Sequence, residues 1–168
     1  MSAPIQIVDE QDKPAGQATK QEAWAQGLRH RVIRIMIEND RGELLLQHRS
    51  PTKDIFPNCW DNSAAGHVDA GEDYITAATR ELQEELGIEG VELKEIGDYA
   101  SDETWWEHRF KRFTHVYRLH YNQTPTKLEE GKIDNVIWMP LDKVKKLVKE
   151  HPNEVSDGLR QVIDKYYA

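Results

Sequence analysis

The sequence predicts one α/β domain in which a mixed sheet packs between helices. Three observations predict it. The chain has 168 residues, a length that suits a single core. Its first half alternates strand-like aliphatic runs with hairpin turn residues. Its second half interleaves helical periodicity with further strands, over connections too short for a doubly wound parallel sheet.

Taken in order, residues 5–8 form a short strand, followed by a polar turn region over 9–16. Residues 19–27 suit a short helix with Trp24 on its inner face. Residues 32–38 read as a strand, and 39–42 (Asn-Asp-Arg-Gly) as a hairpin turn leading into a partner strand over 43–49. Residues 50–65, with Pro51 and Pro57, read as a long irregular stretch, and long loops in compact domains are commonly functional. The strongest helix spans 75–86 and ends at Gly87, where a left-handed residue closes a helix. Strands follow over 91–96 and 109–121, then a loop over 122–127 and a last strand over 136–139. Helices over 141–150 and 157–167 complete the chain, giving one domain over 1–168 with an N-terminal hairpin and helix extension over about 1–29.

Composition narrows the function classes. No run approaches the roughly 20 apolar residues of a membrane span, and the Met1–Pro4 start lacks a basic-then-apolar leader, so a cytoplasmic location without membrane contact is expected. Cys59 is the only cysteine, which excludes an internal disulfide and fits a packing residue better than a nucleophile. A net charge of −8 opposes binding to nucleic acid polymers. It also opposes a phosphorylated substrate, so an acidic enzyme acting on phosphates needs divalent cations.

The acidic residues show where those cations belong. At about 100° per residue, Glu84 and Glu85 flank Glu81 on one face of the 75–86 helix. Ile75, Ala78, Leu82 and Leu86 form an adjacent apolar stripe. Arg80 is placed to offset Glu84 but not all three carboxylates. Hard cations such as Mg²⁺, Mn²⁺ or Ca²⁺ suit such oxygen clusters. An isolated pair of glutamates is more often a solvated face. Here a glycine-flanked turn and a further carboxylate, Glu72, precede the cluster.

Gly66, Glu72, Arg80, Glu81, Leu82, Glu84, Glu85, Gly87 and Ile88 fill every fixed position of Gly-x5-Glu-x7-Arg-Glu-U-x-Glu-Glu-x-Gly-U, where U is a bulky aliphatic. The 66–88 segment thereby resembles the signature of the Nudix hydrolase superfamily. That resemblance implies an α/β/α sandwich and an Mg²⁺-dependent pyrophosphohydrolase, with Mn²⁺ able to substitute. It implies Glu84 and Glu85 as the main metal ligands, with Glu81 as a ligand or the base that activates water. Arg80 would orient the glutamates, Glu72 would support the site from behind, and the carbonyl of Gly66, or of neighbouring Ala65, would be a further ligand. The substrate would be a nucleoside di- or triphosphate or another diphosphate-linked small metabolite.

Residues 8–16, 44–50 and 56–63 extend the resemblance, over roughly 5–140, to the isopentenyl-diphosphate isomerases of the same superfamily. Two departures separate the chain from them. Ala65 stands where the isomerases carry an essential cysteine, and an alanine cannot exchange a proton with an alkene. His30 and His67 match two of the histidines of the isomerase metal site, but the upstream position falls near Ala23. The chain therefore reads as an isomerase-like branch member that hydrolyses. The alternatives are an isoprenoid-diphosphate isomerase and a non-catalytic nucleotide-binding module. His30 and His67 are expected to be ordinary hydrogen-bonded histidines of the scaffold.

Outside the motif, many relatives place one more acidic ligand before the strand that ends in Trp-x-Pro. Lys132 holds that place here, with Glu129 and Glu130 close by. Trp105, Trp106 and Arg109 are candidate substrate-binding residues, the tryptophans as a stacking surface and the arginine as a phosphate contact. Packing is expected for Trp60. Adjacent strand residues point to opposite faces, so at least one of Trp105 and Trp106 should face solvent, at a pocket rim or a dimer contact. A homodimer is the assembly that base rates favour.

Overall fold

The structure is a computed structural model that describes residues 3–168; Met1 and Ser2, part of the 1–168 domain reading, lie outside the described residues. The elements are β1 (Ile5–Val8), β2 (Pro14–Ala18), α1 (Lys20–Gln26), β3 (His30–Glu38), β4 (Glu43–Arg49), β5 (Trp60–Asp61), β6 (Ala64–His67), α2 (Tyr74–Leu86), β7 (Lys94–Trp105), β8 (His108–His120), β9 (Ile133–Pro140), α3 (Leu141–Glu150) and α4 (Asp157–Tyr166). No helix among the described residues is long and apolar enough to cross a membrane.

β3 is the axis of the sheet. It runs parallel to β8 from His30 opposite Arg112 to Glu38 opposite His120. Its other edge is shared: β4 pairs it only at Ile37 and Glu38, and β6 takes over from Val32 to Ile35. Past that point β4 pairs with β9 and β5, while β7 pairs with β8. All pairings except β3–β8 are antiparallel, so the sheet is mixed, as the sequence predicts.

Strand residues alternate between faces, and β3 and β4 use both. Ile33, Ile35, Ile37 and Leu45 pack on Ala77, Ala78, Leu82 and Leu86 of α2. Met36, Leu44 and Leu46 pack on Val144 and Val148 of α3 and on Leu159, Val162 and Ile163 of α4. The two cores make the molecule an α/β/α sandwich.

The helices begin and end where their sequences dictate. Thr19 caps α1 by accepting from the Glu22 N–H at 3.1 Å, and Gly27 closes it at φ 66°. Trp24 is buried on its inner face. Asp73 caps α2 by accepting from the Thr76 N–H at 2.9 Å. Gly87, also at φ 66°, returns its N–H to the Gln83 carbonyl.

Four sequence expectations need correction. The turn region over 9–16 contains the start of β2, which adds to the edge of β1. The irregular stretch over 50–65 contains β5 and the start of β6, too short to show an alternation pattern. The strand expected over 91–96 starts at Lys94 and runs to Trp105. Its acidic, Gly-containing sequence has little intrinsic strand preference; pairing with β8 along its length overrides that. Finally, Ile75 is 44% exposed, and Ala77 takes its place in the buried stripe of α2.

Leu82 is 1% exposed between α2 and the sheet. Truncating it to alanine should cost about 2–5 kcal/mol, measured by urea unfolding. A loss under about 1 kcal/mol would show that α2 is not held by this core.

Candidate active site

The chain leaves β6 at His67, turns, and enters α2, so one short unit brings backbone and helix together. The junction is held by Arg80. Its Nε donates to Glu72 Oε2 at 2.8 Å and its Nη2 to Glu72 Oε1 at 2.9 Å and to the His67 carbonyl at 3.1 Å. Its Nη1 donates to Glu81 at 2.8 Å and to Glu84 at 3.2 Å. Burial would raise the Glu72 carboxyl, but these bonds, with the Asp69 N–H at 2.9 Å, hold it below its ordinary value.

Glu81 and Glu85 are buried on the sheet-facing side of α2, whereas Glu84 lies partly in solvent. Glu85 Oε1 accepts from Gln47 Nε2 at 2.9 Å and from the Ala65 N–H at 3.2 Å. Burial first, then the charge of Glu81, pushes the Glu85 carboxyl well above the carboxylate range. The second oxygen of Glu81 is buried without a hydrogen-bond partner. Gly66 makes this geometry possible: a Cβ there would lie 2.3 Å from Glu81 Cδ.

Glu81, Glu84 and Glu85 line one cavity of about 360 Å³, with Gly66, Arg80 and Asp69. Among the described residues, no three carboxylates or imidazoles already converge on one point. Arg80 bridges Glu81 and Glu84 instead. The donor set nonetheless fits a hard divalent cation. It is made of carboxyl oxygens, one of them buried without a partner, around a glutamate whose ionised form burial and Glu81 disfavour, a penalty that a cation would offset.

The other sequence candidates lie at varying distances from this group. Glu72 stands behind Arg80 and accepts from its Nε at 2.8 Å. Glu130 is exposed and does not line the cavity. Glu129 is closer: its N–H donates to the Glu85 carbonyl at 3.0 Å, and its carboxylate pairs with Lys132 at 3.1 Å. Trp105, Trp106 and Arg109 sit at the far end of the β7–β8 hairpin, outside the cavity. Trp106 is 81% exposed, Trp105 packs on Phe56, and Arg109 pairs with Asp102 at 2.8 Å. Trp60 packs against the α3/α4 core. Cys59 is buried, and burial raises its thiol, which suits packing and not attack.

His30 and His67 stack with ring centroids 5.4 Å apart. His30 Nδ1 donates to the Leu28 carbonyl at 2.8 Å, which leaves Nε2 as an acceptor with no partner. Burial, then Arg112, lowers His30 to about 4, and burial likewise lowers His67. Both rings are therefore neutral at pH 7. The pair is hydrogen-bonded only in part, since His67 Nε2 is also unpartnered.

Sequence reasoning missed most of the cationic wall of the cavity: it offered Arg112, beside Arg109, as a phosphate contact, but Lys20, Arg34, Arg49 and Lys53 line the cavity too, with Lys132. No local pattern links these residues, which come from α1, β3, β4, β8 and two loops. The signal available was only the arginines set among the aliphatics of β3 and β8.

The NUDIX domain family matches residues 28–159. An uncharacterized Nudix hydrolase of Yersinia pestis is 37% identical over 138 residues, covering 80% of this chain and 71% of its own. The uncharacterized Nudix hydrolase YfcD of Escherichia coli is 34% identical over 143 residues, covering 83% of this chain and 75% of its own. Among solved structures, DR0079 from Deinococcus radiodurans superimposes with a TM-score of 0.81 at 25% identity, covering 98% of this chain and 99% of that one.

Two substitutions test the geometry. Gly66→Ala should keep the fold, because the flexible Glu81 carboxylate can move, yet lower turnover about a hundredfold by misplacing it. Circular dichroism and steady-state rates measure the two effects. Glu85→Gln should raise the melting temperature of the EDTA-treated protein by about 2 °C or more and remove most of the stabilisation that added Mg²⁺ gives. An unchanged response to Mg²⁺ would contradict the ligand assignment.

Proposed function

The chain belongs to the Nudix family of hydrolases, which act on acid anhydrides, and from that premise we propose that it is an Mg²⁺-dependent enzyme cleaving the phosphoanhydride bond of a nucleoside di- or triphosphate or another diphosphate-linked small metabolite. One observation carries the reading. Three motif glutamates line a single cavity large enough for a small phosphorylated molecule.

Glu84 and Glu85, with the Gly66 carbonyl, would hold the cation, and Mn²⁺ would suit the same oxygens. When bound, the ion stabilises charge on the leaving oxygen and makes a bound water more acidic. Glu81 Oε2, buried and unpartnered, would accept a proton from the attacking water. Arg80 keeps Glu81 and Glu84 in register with the turn through Glu72. Gln47 and the Ala65 N–H fix the orientation of Glu85.

Hydrolysis is favoured over isomerisation by the same geometry. Ala65 lines the cavity where an isomerase needs a proton-exchanging side chain, and its own side chain is a methyl group; its backbone N–H donates to Glu85. Cys59 makes a contact to the Asn153 carbonyl and does not line this cavity.

A panel of diphosphate compounds with Mg²⁺, with products identified by mass, should reveal release of a phosphorylated fragment and no allylic isomer. Glu84→Gln should lower kcat by about 10²–10⁴-fold while leaving the circular dichroism spectrum unchanged. Undiminished turnover in that variant would overturn the assignment.

A further inference from the structure

The proposed reaction does not involve the far end of the β7–β8 hairpin, where a second cavity of about 610 Å³ opens. Phe56, Trp105 and Trp106 give it an aromatic side, and Pro152, Asn153 and the start of α4 also line it. Trp106 and Glu107 make the two-residue turn between the paired Trp105 and His108. Trp106 takes φ 54°, at a turn position that glycine, asparagine or aspartate normally fills. A tryptophan is strained there, and the residue is 81% exposed, so neither backbone preference nor packing accounts for it.

The cavity's chemistry narrows the guest. The rings of Trp105 and Trp106 stand at 80° with centroids 6.2 Å apart. Such a corner receives a flat ring, its face against one indole and its edge against the other. The charged side chains of the lining are already paired: Glu103 with Arg160 at 2.8 Å, and Asp157 with Arg112 at 3.0 Å. The cavity therefore suits an uncharged guest, to which the Asn153 amide and the Thr104 hydroxyl offer neutral donors and acceptors.

The catalytic cavity and the aromatic one share a loop. Lys53, Asp54 and Ile55 line the first, and Phe56 and Pro57 line the second. Phe56 adopts φ 47° and Asn58 φ 61°, and the Phe56 ring centroid lies 4.9 Å from that of Trp105. A guest stacked in the aromatic corner bears on Phe56 and, through its neighbour Ile55, on the catalytic cavity.

We propose that the hairpin cavity is a second ligand site, which takes an uncharged planar heteroaromatic molecule of nucleobase type, and that its occupancy alters substrate affinity through the 53–57 loop. The kinetic half of this inference rests on the phosphoanhydride reading; the binding half does not.

Adenosine is the probe, titrated into the full chain in EDTA with tryptophan fluorescence as the signal. The wild type should bind with quenching. Trp106→Gly should weaken binding at least about fivefold and Trp106→Phe should retain most of it. Trp106→Gly should melt no lower than the wild type, because glycine adopts φ 54° without strain, so lost binding would not reflect lost folding. With the best diphosphate compound of the panel as substrate, adenosine should change KM at least about twofold in the wild type and leave Trp106→Gly unaffected. No adenosine binding by the wild type, or equal binding by Trp106→Gly, would overturn the site. So would a KM change that survives in Trp106→Gly, which would put adenosine in the catalytic cavity, or a Trp106-dependent dimer in sedimentation in place of binding, which would assign this face to a second copy. Trp106-dependent binding that leaves KM unchanged would overturn the coupling. Trp106-dependent binding by a chain that hydrolyses no diphosphate compound would sustain the site and discard the reaction.

Discussion

Two acidic side chains, Glu81 and Glu85, are buried side by side on the face of α2 that also makes the core. The rest of the site is arranged around that constraint. Left alone on an exposed helix, such a pair would turn outward. Here Ala77, Ala78, Leu82 and Leu86 press the helix onto β3 and β4, and the gain from burying that surface, about 25 cal/mol per Å², carries the two glutamates inward with it. What they meet is matched to them: the amide of Gln47, the N–H of Ala65 and a glycine with no side chain to obstruct Glu81.

The position of the cavity follows from how β3 shares its edge. β4 stays beside β3 for two residue pairs and then departs, and β6 fills the remainder. The cavity is lined by both strands, with Gln47 and Arg49 from one and Ala65, Gly66 and His67 from the other. This parting admits charged side chains that a continuous sheet would exclude. It also explains how an acidic protein presents basic side chains inside a cavity. Arg34, Arg49 and Arg112 reach the cavity from β3, β4 and β8.

The helix of the motif was legible because its information is local. Spacing and a left-handed Gly87 define α2, and the fixed positions identify its chemistry. The two-faced sheet was legible from the aliphatic runs of β3 and β4. What escaped depends on pairing between distant segments. β7 is polar and becomes a strand because β8 is beside it, and β5 and β6 are too short to carry a pattern. The basic wall escaped for the same reason: Lys20 and Lys53 lie 33 residues apart in sequence and share a surface only in the folded chain. Trp105, Trp106 and Arg109 show the converse. Their residue types suit a binding surface, but the hairpin carries them away from the glutamates.

The bridging role of Arg80 has a consequence for how the site handles metal. Its guanidinium is an internal counter-ion, already bonded to Glu81 and Glu84. An incoming ion must therefore exchange with a tethered competitor rather than enter an empty nest of oxygens. The tether through Glu72 keeps that competitor at hand after the ion departs. Such a site keeps its shape without an ion, and a cation that the proposed reaction calls for would load by displacing the guanidinium.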